Sequence, residues 1–434
     1  MANRVGLNNG EWIERVVGDD GRFSLAEAEV SSDFRTVKKL QKRSSDDEDY
    51  KTAGWAKARA KTIAEEDVLS FLSRKAVIPK YGFPVDVVEL DAHRTQRSFE
   101  SMQVSLQRDL SIAIAEFAPT SKLVANKKVW TSYGLKKVAE KEWERKCYMR
   151  CSQHNLFVSW DTGEKPPSQK TCHEELPLQR CCGKAVVGVY LIPKFGFVTD
   201  RSKPKEPKRR PARVFTTRPY FVGLKGAEPG DIDFKVVRLT KASPGWMVVL
   251  CEGRHGRGFY ICGKCGAGRR RREKHKTPYG EDCSGTLEPV SLGHEFVTDV
   301  LRLQFRLEPS EWDMEPAWFA YSLAYALVEG AADVLGVPSI DLSVTVAYSG
   351  GKTIPPIVLY DNVPGGAGLV ARLEDREVLR ACLEAAQKRV GGGCGCDENT
   401  SCYGCLRSYR NQFAHQRLRR GLVMRYLEAV LAEW

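Results

Sequence analysis

The stretch GGGCGCDENTSCYGCLRSYRNQ, residues 391–412, decides how the last third of this chain folds. It spaces four cysteines as Cys394-x-Cys396, five residues, then Cys402-x2-Cys405. Zinc takes four soft ligands at about 2.3 Å in a tetrahedron, and two close pairs on tight turns supply them at small ordering cost. Gly393, Gly395 and Gly404 free the backbone to wrap an ion. Bound metal would tie the helical pattern before the loop, 369–390, to the one after it, 418–433. Further upstream, 318–335 reads as an Ala-rich helix with Pro316 near its start and Gly336-Val337-Pro338 past its end. Residues 342–347 and 357–360 read as strands, so the C-terminal part is expected to be a mixed strand/helix zinc-binding domain.

The chain has 434 residues, and 67 Lys+Arg against 55 Asp+Glu leave a net charge of +12. Such a length suggests about two to four domains. A hydrophobic share of 42% excludes general disorder. No run of about 18 apolar residues offers a membrane span, and the N-terminus lacks the apolar core of a secretory signal. A cytoplasmic location is therefore expected. Reduced thiols follow from it, and 14 cysteines then point to metal rather than disulfides.

Two further clusters fit that reading. Cys262-x2-Cys265 followed by Cys283 supplies three ligands, with His275 as candidate fourth and Cys251 and His255 behind it. Cys147, Cys151, Cys172 and either Cys181 or Cys182 form a looser third set, with His154 and His173 nearby. The sites look closed, which suits two to three structural zinc ions. The run Arg269-Arg270-Arg271-Arg272-Glu273-Lys274 projects from the second cluster and suits phosphate contacts, as do Arg407 and Arg410 beside the last cysteines. The basic linker 201–213 and Arg417, Arg419 and Arg420 add charge of the same sign.

The expected class is α+β and multi-domain, with small zinc-knuckle modules preceding the C-terminal zinc domain. Residues 1–65 are charged and read as a solvated or mobile leader, 66–145 as an α+β segment, and 146–290 as two zinc modules joined by the basic linker. Residues 66–72 have helical spacing, and 106–117 alternates apolar and polar residues as a strand would.

Other motifs fail or stay open. Gly351-Lys352-Thr353 resembles the end of a phosphate-binding P-loop, but Val346 stands where its first glycine is required and Pro355-Pro356 forbids the helix. No deaminase pattern accompanies the cysteines. The loop 361–368, DNVPGGAG, could aim backbone N–H groups at a phosphate or simply make a tight turn. Glu295, Asp299 and Asp361 could hold Mg²⁺ in a nuclease or other phosphoryl hydrolase, though no Lys-bearing nuclease motif accompanies them.

The strand 357–361, the loop 364–368, the four cysteines and the run 401–412 with His415 together resemble the MrfA-type zinc-binding domain over 291–434. The likeness extends upstream through Phe71-Leu72-Ser73-Arg74 and 78–86, so it spans about 66–434. The domain occurs at the C-terminus of some DEAD/DEAH-type helicases and in DrmB of the DISARM anti-phage system. The resemblance implies zinc on the four cysteines and a role beside a helicase motor in DNA repair or phage defence. No ATPase motor is present, so the motor is expected in a separate chain or in a longer polypeptide. The expected protein is a non-catalytic accessory subunit that binds DNA and a helicase, without a small-molecule substrate. A metal-dependent hydrolase and a pure protein scaffold are the alternatives.

Overall fold

The computed structural model describes residues 17–65, 86–92, 106–138, 141–151, 156–165 and 185–434, apart from 203, 210, 213, 225–229, 311–313 and 348–353; a few isolated positions between 66 and 85 are also described. Most of the helical pattern expected at 66–72 lies outside them.

In the C-terminal half, five antiparallel strands run in the spatial order Gly230–Asp233, Val237–Lys241, Val300–Phe305, Ile357–Asp361, Leu342–Val346. Ile357–Asp361 is buried at every position, as an inner strand covered on both faces must be. Helix α4, Pro316–Leu335, packs on this sheet and begins with proline in its first turn. It ends at Gly336, whose φ of 67° is the left-handed cap that glycine takes without strain. Helix α5, Arg376–Val390, is capped by Asp375, whose carboxylate accepts the N–H of Glu377 and Val378. Residues 370–374, expected to continue that helix, form a separate 3-10 turn ahead of the cap. Helix α6, Arg420–Ala432, closes the same core with Leu422, Val423, Tyr426 and Leu427.

A larger sheet is organised around the 12-residue strand Leu287–Thr298. Its first part pairs antiparallel with Phe259–Cys262, and its second with Gly245–Cys251. On its other side it pairs in parallel with Ala185–Ile192, which in turn pairs with Glu144–Cys151. The divisions expected at 145/146 and 290/291 lie within the strands Glu144–Cys151 and Leu287–Thr298 of this sheet. The strand also runs through Asp299 into Val300–Phe305 and so joins the larger sheet to the C-terminal one. A third sheet combines Gln107–Asp109, Val87–Asp91, Phe197–Thr199, Lys128–Leu135 and Lys122–Ala125.

Two segments differ from expectation. Residues 22–64 of the presumed mobile leader form a helical hairpin, α1 (Arg22–Asp46) and α2 (Tyr50–Ala64). Its seam is narrow and built largely of small residues: Val37, Leu40, Ala56 and Ala60, backed by Phe34, Trp55 and Ile63. The acidic run 46–49 forms the turn, where Asp49 caps α2 by accepting the Thr52 N–H at 3.2 Å. Residues 110–116 form helix α3 rather than a strand. Asp109 accepts the Ser111 N–H at 2.9 Å, and Leu110, Ala113, Ile114 and Phe117 then share one buried face at helical spacing.

Candidate metal centres and their basic surroundings

The sulfurs of Cys394, Cys396, Cys402 and Cys405 converge within 4.8 Å of one another. Sγ–Sγ distances are 3.5 Å for 394–396, 3.8 Å for 396–405 and 3.9 Å for 402–405. A zinc tetrahedron with about 2.3 Å bonds places neighbouring sulfurs about 3.8 Å apart, so the set fits that ion. Backbone N–H groups donate to sulfur from Cys402 to Cys405 at 3.2 Å and from Gly404 to Cys402 at 3.3 Å. The Cys396 N–H, above all, holds the Cys394 thiol down at about 7, which supplies thiolate at neutral pH. A Cβ on Gly404 would lie 2.9 Å from the Cys394 Cβ, so only glycine lets the two turns meet.

Arg420, read from sequence as surface charge, is buried behind this loop. Its guanidinium donates to the Cys396 carbonyl at 2.9 and 2.6 Å and to the Val390 carbonyl at 3.2 Å, tying the loop to the end of α5. Asn411 is buried as well: it donates to the Leu406 carbonyl and accepts the Ser408 N–H, both at 2.8 Å. No side-chain pattern marks either role, because these partners are backbone groups.

The second centre gathers Cys262, Cys265, His275 and Cys283 within 4.8 Å. Cys262 and Cys283 sulfurs lie 3.8 Å apart. His275 arrives on the short strand His275–Lys276, paired antiparallel with Asp282–Cys283 in a register that puts His275 directly opposite Cys283. Its Nε2 is buried and has no hydrogen-bond partner. A buried imidazole nitrogen left unpaired is costly, and coordination would satisfy it. Cys251 and His255, the reserve candidates, stand outside this group.

Of the third set, only Cys147 and Cys151 lie among the described residues. Cys147 and Cys151 lie on the continuous strand Glu144–Cys151. Four residues of extended chain separate their Cα atoms by about 13 Å, so they cannot share one tetrahedral ion. Cys172, Cys181, Cys182, His154 and His173 lie outside the described residues. Cys382, expected in the core, is fully buried on α5.

The arginine run bridges Gly268–Arg269 to His275–Lys276, so both of its ends are rooted in the second centre. Arg269 belongs to the root: its guanidinium lies 4.2 Å from the Tyr133 ring centroid and 3.5 Å from Glu273. Arg270, Arg271, Arg272 and Lys274 are exposed, and Arg271 has 85% of its side chain in solvent. Arg407 donates to Ser401 Oγ at 3.0 Å. Arg410 donates to the Ile340 carbonyl at 3.1 Å, and desolvation pushes its pKa down. Those bonds make Arg407 and Arg410 parts of the fold rather than projecting charges.

The glycine loop after Ile357–Asp361 turns its N–H groups inward. The Asp361 carboxylate accepts from Ala367 at 2.7 Å, Leu369 at 3.0 Å and Val370 at 2.9 Å, and Asp299 accepts from Gly368 at 3.0 Å. Of the two readings of this loop, the tight turn fits: the N–H groups that could have met a phosphate are taken by the protein's own carboxylates. Glu295 is held by Lys146 at 3.0 Å and by the Tyr190 hydroxyl. Among the described residues, the two cysteine centres are the groups in which three or more such ligands converge, so the acids proposed for a hydrolase do not assemble.

Residues 323–406, from within α4 to just past Cys405, match the family described as the MrfA Zn-binding domain. Over those residues the chain is similar to the MrfA zinc-binding domain. The C-terminal centre belongs to the loop between α5 and α6, while the second centre lies outside the matched range. The Druantia protein DruE of Escherichia coli (strain UMEA 4076-1) is 27% identical over 465 aligned positions, covering 96% of this chain and 24% of that protein. The chain thus spans about a quarter of the curated relative's length. Crystal structures of the DUF1998 helicase MrfA bound to DNA, and to DNA and AMPPNP, align at TM-scores of 0.29 and 0.24 with 15% and 14% identity. They cover 57% and 56% of this chain and 28% and 26% of theirs. Among the described residues, no helix is long and apolar enough to cross a membrane.

Proposed function

We propose that this chain is a zinc-ordered, non-catalytic DNA-gripping region that works in the cytoplasm beside a helicase motor, in trans or within a larger polypeptide, in anti-phage defence or DNA repair. The carrying observation is the loop 269–274, four of whose cations face solvent while both ends are fixed at the second cysteine centre. Zinc in that centre removes the ordering cost that a free loop would pay on meeting a phosphate backbone. The match to the MrfA zinc-binding domain and the Druantia relative support the setting. Each phosphate neutralised on duplex DNA adds about −0.9 to the slope of log K against log salt. Replacing Arg270, Arg271, Arg272 and Lys274 together by serine is expected to shrink that slope by up to about 3.6 in a fluorescence-anisotropy titration. Unchanged slope, or no DNA binding by the unaltered protein, overturns the reading; retention of a helicase partner without DNA would favour the scaffold instead.

A further inference from the structure

Beside the C-terminal zinc loop the surface opens into a groove of about 550 Å³. Trp318 from the first turn of α4 lines one side, and Tyr403, held between Cys402 and Cys405, lines the other. Phe413, His415 and Arg417 complete it with two glutamines, and no acidic side chain lines it.

Tyr403 is 62% exposed, although the turn that carries it is fixed at both ends by zinc-ligand candidates. Its ring stands perpendicular to that of His415, with 5.5 Å between ring centroids. Across the groove the Arg417 guanidinium lies 5.9 Å from the Trp318 ring centroid. Behind Phe413 the half-buried Arg218 guanidinium lies 5.4 Å from the Phe413 ring centroid and 5.5 Å from that of Tyr321. The groove thus offers flat π surfaces, amide donors and acceptors on its rim, and positive charge behind and beside it. Only a ligand that is flat, hydrogen-bonding at its edge and attached to a negative charge uses all three.

We propose that this groove binds an unpaired nucleobase, with its phosphate toward Arg417, and so makes the region similar to the MrfA zinc-binding domain a single-strand reader distinct from the duplex-gripping loop 269–274. It rests on the nucleic-acid reading above, but on different residues. A duplex cannot use the groove, because its bases are already stacked on each other; an extended single strand can.

The test compares a labelled oligothymidylate with a mixed-sequence duplex by fluorescence anisotropy. Tyr403→Ala is expected to weaken the single strand about tenfold and to leave the duplex within about twofold. Tyr403→Phe should restore single-strand binding, since stacking needs the ring and not the hydroxyl. Zinc content, measured on the same samples, should be unchanged; if Tyr403→Ala loses zinc, Arg417→Glu, which lies outside the cysteine loop, takes its place with the same expected selectivity. Equal loss on both ligands with zinc retained, or no loss on the single strand, overturns the proposal. Failure of the unaltered protein to bind either ligand overturns the proposal and the broader reading together, whereas duplex binding alone overturns only the groove.

Discussion

His294 is buried in the long central strand, and its Nε2 lies 3.0 Å from Asp86 Oδ2, more than 200 positions earlier in the chain. Burial alone would push the imidazole pKa down; the Asp86 hydrogen bond and charge, helped by Asp109 and Glu295, outweigh it and leave the value above the usual 6.5. A folded pKa raised in this way stabilises the protein fully below pH of about 6.5 and loses that contribution as pH rises through the raised value. Asp86→Asn should therefore cost most near pH 6 and progressively less above it. Urea unfolding of both proteins across pH 6 to 9 measures this, and a deficit that grows with pH would refute it. Roles of this kind escape a sequence reading because the partners are distant. Asp361 escaped for another reason: a strand-end acid before a glycine loop looks like a metal ligand, and only three N–H bonds reveal it as an internal cap.

Helices α4 and α5 cross where Gly330 meets backbone. A Cβ there would lie 2.4 Å from the Cys382 carbonyl oxygen and 2.7 Å from the Ala386 nitrogen. Alanine normally favours a helix over glycine by up to about 1 kcal/mol, but here neither neighbour can rotate away. Gly330→Ala is expected to destabilise by about 1–3 kcal/mol through overpacking, seen as a lowered thermal midpoint; a raised midpoint would mean that the helices part freely. The ends of α4 were legible because Pro316 and Gly336 have fixed conformational meanings. The hairpin α1–α2 was not, since its apolar seam is narrow and its charge dominates the reading. Helix α3 was misjudged because period-2 and period-3.6 patterns coincide over a short run, and Asp109 alone selects the helix.

At the scale of the molecule, the two centres sit in very different surroundings. The C-terminal loop is packed on a large apolar core, whereas the second centre has only Cys262, Ala267 and Leu287 fully buried about it. His275→Ala should therefore release about one zinc per chain and abolish order in the loop 269–274 while the main thermal transition persists. Metal analysis paired with calorimetry would show this; loss of both zincs together would mean that the centres are coupled. Cysteine spacing carried the search for both centres, and counting ligands drew attention to His275. The same counting misled at Cys147 and Cys151, because spacing says nothing about whether the intervening chain is turn or strand.

The five-stranded sheet takes its strands Gly230–Asp233, Val237–Lys241 and Val300–Phe305 from outside the matched stretch 323–406. That stretch is therefore not a transplantable module. A fragment cut to its limits would expose the edge of Ile357–Asp361 where Val300–Phe305 belongs, and an open apolar edge recruits other chains. Any graft or truncation that aims to keep this zinc loop must carry about two hundred residues from near 230 onward, and one trimmed to the recognisable sequence is expected to precipitate rather than fold.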